Sequence, residues 1–382
     1  MGLAESTPSD PTPSARCDGP PHECDAPPLT WAEIEAADAD AGLEAYVDSE
    51  DDEGHQLVDE GGFGSVFLVT DAATGEARAL KRYRGRDAEA AAGWVAERAV
   101  YEAVAAAGRP APWLPRFHGA RAEDLSLELE LLGEDLFRVA ASGTLTAVPG
   151  LRGALARGAL DALEALHGAG FIHRDVKLEN FATRRAAAAA PAVVLLDFGG
   201  ALPWERDAAG RLRVPRSRGF VGTPDYASLR QLAGARLGLS DDLESLGYAL
   251  LALYRADHAP PWHVDASVPR RRHGRGRGAD SADGGAPLTG RAWTRWLRRC
   301  GRYRARVWAA LVAEGEIPAW LCEWVEYCRA LDRRAAPDYA RLRELLADAP
   351  EPAEAAPPAS VAERSAKRGR WAPSKEAPLA EA

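Results

Sequence analysis

The chain has 382 residues, 46% of them hydrophobic, which is enough for one large or two ordinary cores. Its formal net charge of −10 excludes indiscriminate nucleic-acid binding by the chain as a whole. Cys17, Cys24, Cys300, Cys322 and Cys328 have neither zinc-knuckle spacing nor an even disulfide count, and no apolar run is long enough for a membrane span. A soluble chain with free thiols, in the cytoplasm or nucleus, is the expectation.

Residues 1–50 are rich in proline, serine and acidic groups and are expected to be disordered, apart from a short helix over Trp31–Tyr46. The opening Met1–Ser6 fits the N-myristoylation pattern with Gly2 as acceptor. No lysine or arginine follows closely, and a single acyl chain anchors only marginally. An acidic run from Asp48 to Glu53 leads into strands predicted over Gln56–Glu60, Ser65–Thr70 and Glu76–Arg82. The turn Asp71–Gly75 joins the last two as a hairpin. Ala88–Ala107 reads as a helix and Ser126–Glu130 as another strand.

Beyond Gly133 the pattern turns helical. Leu155, Ala159, Leu163 and Leu166 recur at helical spacing within Leu151–His167. Val193–Leu196 reads as a short buried strand, and Ser240–Tyr254 as an apolar helix with Ser240 as N-cap. Further helices are expected over Arg302–Ala347. Residues 265–290, with arginines clustered between Arg270 and Arg277, read as a surface insertion. Residues 350–382, including Lys367–Arg370, read as a disordered tail. The arrangement is α+β: a sheet-rich part over about 51–132, then a helical part over about 133–349, joined near Leu132.

Chemistry concentrates in His173-Arg174-Asp175-Val176-Lys177-Leu178-Glu179-Asn180. Phosphoryl transfer needs a carboxylate to orient and deprotonate the attacking hydroxyl, a cation for the moving phosphoryl group, and oxygen ligands for magnesium. Asp175, Lys177 and Asn180 supply those three types within eight residues. Such a string arises by chance roughly once in ten thousand chains of this length. Seventeen residues on, Asp197-Phe198-Gly199 ends a strand, where Asp197 can ligate magnesium between phosphates. Alone that tripeptide could be an ordinary turn; its distance from the first string makes it specific.

Upstream, Gly61, Gly62, Phe63 and Gly64 lie between two strands, and glycine lets the backbone close over phosphates. Asp59 stands where such loops have their first glycine, which places a carboxylate near the nucleotide. Lys81 ends the third strand, where a lysine can pair phosphates; Glu97, with Glu102 as fallback, is its expected helical partner. Backbone groups of Glu130 and Leu132 would meet an adenine edge, with Leu129 behind it.

On these residues the chain resembles protein kinases, and among them the casein kinase 1 family, over about residues 55–348. Leu131–Phe137, Gly222-Thr223-Pro224-Asp225-Tyr226-Ala227-Ser228, Asp241-Asp242-Leu243-Glu244-Ser245-Leu246-Gly247-Tyr248, Cys328–Leu331 and Pro337–Tyr339 carry the resemblance. It implies a two-lobed protein kinase fold with a five-stranded sheet, and transfer of the γ-phosphate of ATP, with Mg2+, to serine or threonine of protein substrates. It implies a nucleotide site that also includes Val58, Val66 and Ala79. It implies that Asp242 anchors the catalytic loop, that Thr223 bonds near Asp175, and that the chain is a monomer active without phosphorylation. Asp225 replaces the family's arginine in the Gly-Thr-x-Arg-Tyr string, which implies weak preference for already phosphorylated substrates. A pseudokinase scaffold and a small-molecule phosphotransferase are the alternatives.

Overall fold

A computed structural model describes residues 55–349, except 61–63, 86–87, 149, 185–191, 217–218, 256 and 264–289. Strands β1 (Gln56–Glu60), β2 (Gly64–Thr70) and β3 (Ala77–Tyr83) are followed by helix α1 (Ala88–Ala106), β4 (Phe117–Arg121) and β5 (Ser126–Glu130). These five strands form one antiparallel sheet in the order β1-β2-β3-β5-β4. The β2–β3 turn is held by Asp71, whose Oδ1 accepts from the Thr74 N–H at 2.7 Å and the Ala73 N–H at 3.1 Å. β4 has no counterpart among the strands read from sequence. Its residues Phe-His-Gly-Ala-Arg alternate poorly, and its pairing with β5 is irregular at Phe117/Gly119.

The second lobe contains α2 (Leu136–Ala141), α3 (Thr144–Ala147), α4 (Leu151–Gly168), α5 (Leu229–Ala233), α6 (Leu239–Leu253), α7 (Gly290–Ala313), α8 (Ala319–Ala330) and α9 (Tyr339–Ala347). Short strand pairs, Phe171–Ile172 with Leu202–Pro203 and Phe181–Thr183 with Val193–Leu195, carry the loops between α4 and α5. The two-lobed α+β arrangement expected from sequence is the one observed.

Helix α6 is buried along its whole length and forms the axis of this lobe. Two sequence expectations are corrected around it. Ser240 is not the N-cap. The cap is Gly238, whose N–H donates to Asp241 Oδ2 at 2.7 Å, while Ser240 Oγ accepts from Arg230 Nη1 at 2.9 Å. Helix α7 starts at Gly290, twelve residues before Arg302, because Trp293 and Leu297 continue its apolar face. The helix read over Trp31–Tyr46, the Arg270–Arg277 cluster and both terminal segments lie outside the described residues. Among the described residues Cys300, Cys322 and Cys328 are free thiols, and no helix is long and apolar enough to cross a membrane.

Packing across α6 and α8 is close. A methyl group on Gly247 would lie 2.9 Å from Trp324 Cδ1, and Trp324, fully buried, donates from Nε1 to the Leu243 carbonyl at 2.8 Å. Trp324→Ala is expected to destabilise the chain by about 3–5 kcal/mol, as a cavity beside an orphaned carbonyl would. Urea unfolding at equilibrium checks this.

Candidate active site

Between Ile172 and Phe181 the chain makes a loop whose shape is set from beneath. Asp242, in the first turn of α6, accepts from the His173 N–H at 2.7 Å and the Arg174 N–H at 2.8 Å. His167 Nε2 reaches the same carboxylate at 2.9 Å. Burial opposes the charge of Asp242, yet its pKa is lowered, because His167 and the backbone donors outweigh the desolvation. Arg174 sits at φ +73°, a left-handed conformation that costs a non-glycine residue about 1–3 kcal/mol. Its guanidinium donates to the Gly200 carbonyl and holds the turn in place.

On this loop lies Asp175, almost fully buried. Its Oδ1 accepts from the Thr223 N–H at 2.7 Å, so Thr223 contacts it through the backbone. Its Oδ2 lies 3.6 Å from Lys177 Nζ and 3.4 Å from Asn180 Nδ2. The same amide of Asn180 donates to the Asp175 carbonyl at 2.7 Å. The pKa of Lys177 is raised, chiefly by Asp175 and against its burial. Gly222 at φ +114° lets the Thr223 segment close in: a side chain there would lie 2.4 Å from the Arg174 carbonyl.

Lys81 of β3 meets Asp197 across the lobes. Its Nζ lies 2.7 Å from Asp197 Oδ1 and 2.7 Å from Glu97 Oε2. Glu97 is therefore the helical partner, while Glu102 pairs with Arg98 at 3.3 Å. Burial would lower the pKa of Lys81, but Asp197 and Glu97 raise it. Asp197 is shifted down despite its burial, first by Lys81 and then by Lys177 and His173. Asp197 is also left-handed, at φ +60°, and its loop is tied to the first one where the Leu196 N–H donates to the Asn180 carbonyl at 2.8 Å.

Rings stack behind these charges. His173 lies 5.5 Å from Phe198, Phe198 lies 5.7 Å from Tyr101 in α1, and Tyr101 stacks on Phe117 of β4 at 5.0 Å. The unforeseen strand β4 thus ends a row of ring contacts that begins at His173.

Other residues singled out by sequence fall around this centre. Val58 lies on β1 at a break in its pairing with β2, where Val66 faces Asp59; Ala79 lies on β3, opposite Leu129 of β5. Gly64 packs so closely on β3 that a Cβ would lie 2.1 Å from the Arg82 carbonyl. Gly61, Gly62 and Phe63 lie outside the described residues. Glu130 ends β5, its carboxylate 2.9 Å from Arg184 Nε, and the Leu132 N–H donates to no backbone carbonyl among the described residues. Asp59 has a partner that the sequence did not show: its carboxylate lies 3.7 Å from Arg138 of α2. Asp225 has a partner too, His263 Nδ1 at 2.6 Å.

Sequence reasoning missed Tyr83. Its hydroxyl donates to Glu97 Oε2 beside Lys81. Its ring lies against α1 where Gly93 lacks a side chain, since a Cβ there would lie 2.8 Å from Tyr83 Cε1. The signal was a glycine inside an alanine-rich helix. The protein kinase domain family model matches residues 53–273, more than half of the chain.

Tyr83→Phe keeps the ring and removes one of the two donors to the buried Glu97. A loss of about 1.5–3 kcal/mol in unfolding free energy is expected, the worth of a hydrogen bond to a charged group. Parallel urea titrations of both proteins measure it; an unchanged midpoint counts against this role for the phenol.

Proposed function

The chain therefore belongs to the protein kinase family, and we propose that it is an active serine/threonine kinase of the casein kinase 1 type, moving the γ-phosphoryl group of ATP to protein hydroxyls. The observation that carries the reading is the orientation of Asp175, held on one oxygen by the Thr223 N–H and flanked on the other by Lys177 and Asn180. In this reading Asp175 orients the acceptor hydroxyl and takes its proton. Lys177, kept protonated by Asp175, neutralises charge on the transferred group. Lys81, held by Glu97, pairs the α- and β-phosphates. Gly61, Gly62, Phe63 and Gly64 cover the phosphates, Val58, Val66 and Ala79 enclose the base, and Glu130 and Leu132 offer it backbone groups.

The donor set suits magnesium. Asn180 spends its amide nitrogen on the Asp175 carbonyl, which leaves its oxygen for a ligand, and Asp197 adds a carboxylate. Magnesium commonly takes only one or two protein oxygens and completes its shell with water and phosphate. When bound, magnesium neutralises phosphate charge, and ATP supplies the group to be transferred.

The casein kinase 1 assignment rests on the strings at 222–228 and 241–248, and on what Glu244 does. Glu244 accepts from the Leu229 N–H at 3.2 Å, from Tyr248 Oη at 2.6 Å and from Arg329 Nε at 3.1 Å. It ties the segment after Thr223 to α6 and α8 without the Ala-Pro-Glu of most kinases. The reading includes a monomer, protein substrates, and residence in the cytoplasm or nucleus.

Asp175→Asn is expected to lower turnover by about 10²–10⁴, the usual worth of a general base, with nucleotide binding kept. Asp197→Ala is expected to abolish the thermal shift produced by Mg-ATP. Wild-type turnover in the first variant, or an undiminished shift in the second, would sink the corresponding role. Because Asp225 replaces an arginine and is engaged by His263, phosphoserine three residues before the acceptor is expected to give no gain over serine in matched peptides. A strong gain would refute that reading of Asp225.

A further inference from the structure

Helix α7 contains no acidic residue and seven arginines. One of them, Arg304, is fully buried and points inward: it donates to the Pro224 and Ala227 carbonyls and packs on Tyr248 and Trp262 at 4.8 and 5.1 Å. The other six, Arg291, Arg295, Arg298, Arg299, Arg302 and Arg306, are all exposed. At 3.6 residues per turn these six fall within about 100° of arc, along roughly 22 Å of helix. Among the described residues no carboxylate is ion-paired with Arg291, Arg295, Arg298, Arg302 or Arg306. Neighbours three and four apart on a helix repel when their charges match, so helix stability alone disfavours this row. It forms a cationic ridge on a chain whose net charge is −10.

Its position relates it to the catalytic centre. The opposite face of α7 is bolted to the segment that follows the catalytic loop. Trp293 meets Phe220 edge-on at 6.3 Å, and Arg304 holds Pro224 and Ala227, one and four residues after the Thr223 that bonds Asp175. A polypeptide leaving Asp175 over this segment reaches the ridge after crossing the helix, whose diameter is about 10–12 Å. On the proposed function, we propose that the arginine face of α7 is a docking surface for an acidic tract of the protein substrate, set several residues away from the phosphorylated hydroxyl.

A protein tract suits the surface better than other polyanions. Single-stranded nucleic acid is gripped by aromatic platforms beside the cations. Here the tryptophans are turned away, Trp293 stacked on Trp296 at 4.8 Å and packed on Phe220. A membrane surface would want apolar groups among the cations. Among the described residues the exposed large hydrophobic ones, Val95 and Phe137, lie on other helices. Arginine forks bind carboxylates through paired, charge-assisted hydrogen bonds. Tethering through a tract raises the local concentration of the acceptor without changing the chemical step.

The test uses the full chain and peptides carrying one acceptor serine, a neutral spacer of ten residues on either side, and a tract of eight glutamates or eight glutamines. Expected for the wild type is at least a tenfold lower KM with glutamates on one side, at equal kcat and diminishing with salt. The fourfold variant Arg295→Gln, Arg298→Gln, Arg302→Gln, Arg306→Gln should lose that gain and keep its KM for the glutamine peptide. The matching fourfold Arg→Lys variant should retain most of the gain. No tract effect in wild type, or one that survives the glutamine variant, overturns the proposal. So does displacement of a fluorescent, serine-to-alanine glutamate peptide by a 20-nucleotide single strand at lower concentration than by the unlabelled peptide, which would assign the ridge to nucleic acid. Binding of glutamate peptides that appears only once the acidic residues 48–53 are neutralised would assign it to the chain's own segment and overturn it equally. Ridge-dependent binding with no phosphorylation of any peptide would instead count against the kinase reading and uphold the ridge's preference for acidic tracts.

Discussion

The geometry of the active site hangs on one buried carboxylate. Asp242 is 2% exposed, and taking such a charge out of water costs several kcal/mol unless donors surround it. Two consecutive backbone N–H groups and a histidine do so. Because the donors belong to His173 and Arg174, the charge that needs them also dictates where Asp175 begins. The left-handed turn at Arg174 persists because the ends of its peptide are over-determined: Asp242 takes the N–H, and Gln231 Nε2 donates to the carbonyl at 2.7 Å. Asp242 in turn lies in the first turn of a helix buried on every side, so the core of the second lobe and the position of Asp175 are one problem.

A second charge group spans the lobes. Lys81 is the only cation of the triad it forms with Glu97 and Asp197, and both acids hold it at 2.7 Å. Neither lobe alone satisfies it, because Glu97 rides on α1 and Asp197 on the turn after the strand Val193–Leu195. Tyr83 adds a donor to the same oxygen of Glu97 and wedges its ring where Gly93 leaves room. Its phenol pKa is raised, first by burial and then by Glu97, so it remains a donor. Strand β3 therefore presents lysine and tyrosine two residues apart, on one face of the sheet, to one glutamate.

Much of this was legible beforehand because phosphoryl transfer constrains residue type and spacing more tightly than folding does. Asp175, Lys177, Asn180, Asp197, Lys81 and Glu97 converge as their order along the chain suggests. Elements governed by tertiary contact were harder to read. β4 is marginal by pattern and exists through pairing with β5 and stacking of Phe117 on Tyr101. The start of α7 was hidden because Arg291, Arg295 and Arg298 look like a continuation of the preceding arginine-rich sequence, whereas Trp293 and Leu297 pack on the neighbouring helix. The partner of Asp59 was hidden for a different reason. Spacing locates a charge along the chain but not its partner, and Arg138 comes from the other lobe.

Arg304 shows how the two charge systems of the second lobe are kept apart. Burial lowers its pKa; among the described residues no carboxylate is bonded to it, and carbonyls and aromatic faces hold it, with Glu244 and Asp225 favouring its charge without an ion pair. Glu244, which could have paired with it, is committed to Arg329, Tyr248 and the Leu229 N–H. The segment from Pro224 to Ala227 is thus held through its backbone carbonyls as well as by the buried side chains of Tyr226 and Ala227. Asp225 carries its charge to His263, away from the Thr223 contact on Asp175. Recognition can then migrate along α7 to its outer face while the same helix, through its inner arginine, continues to hold the catalytic segment in place.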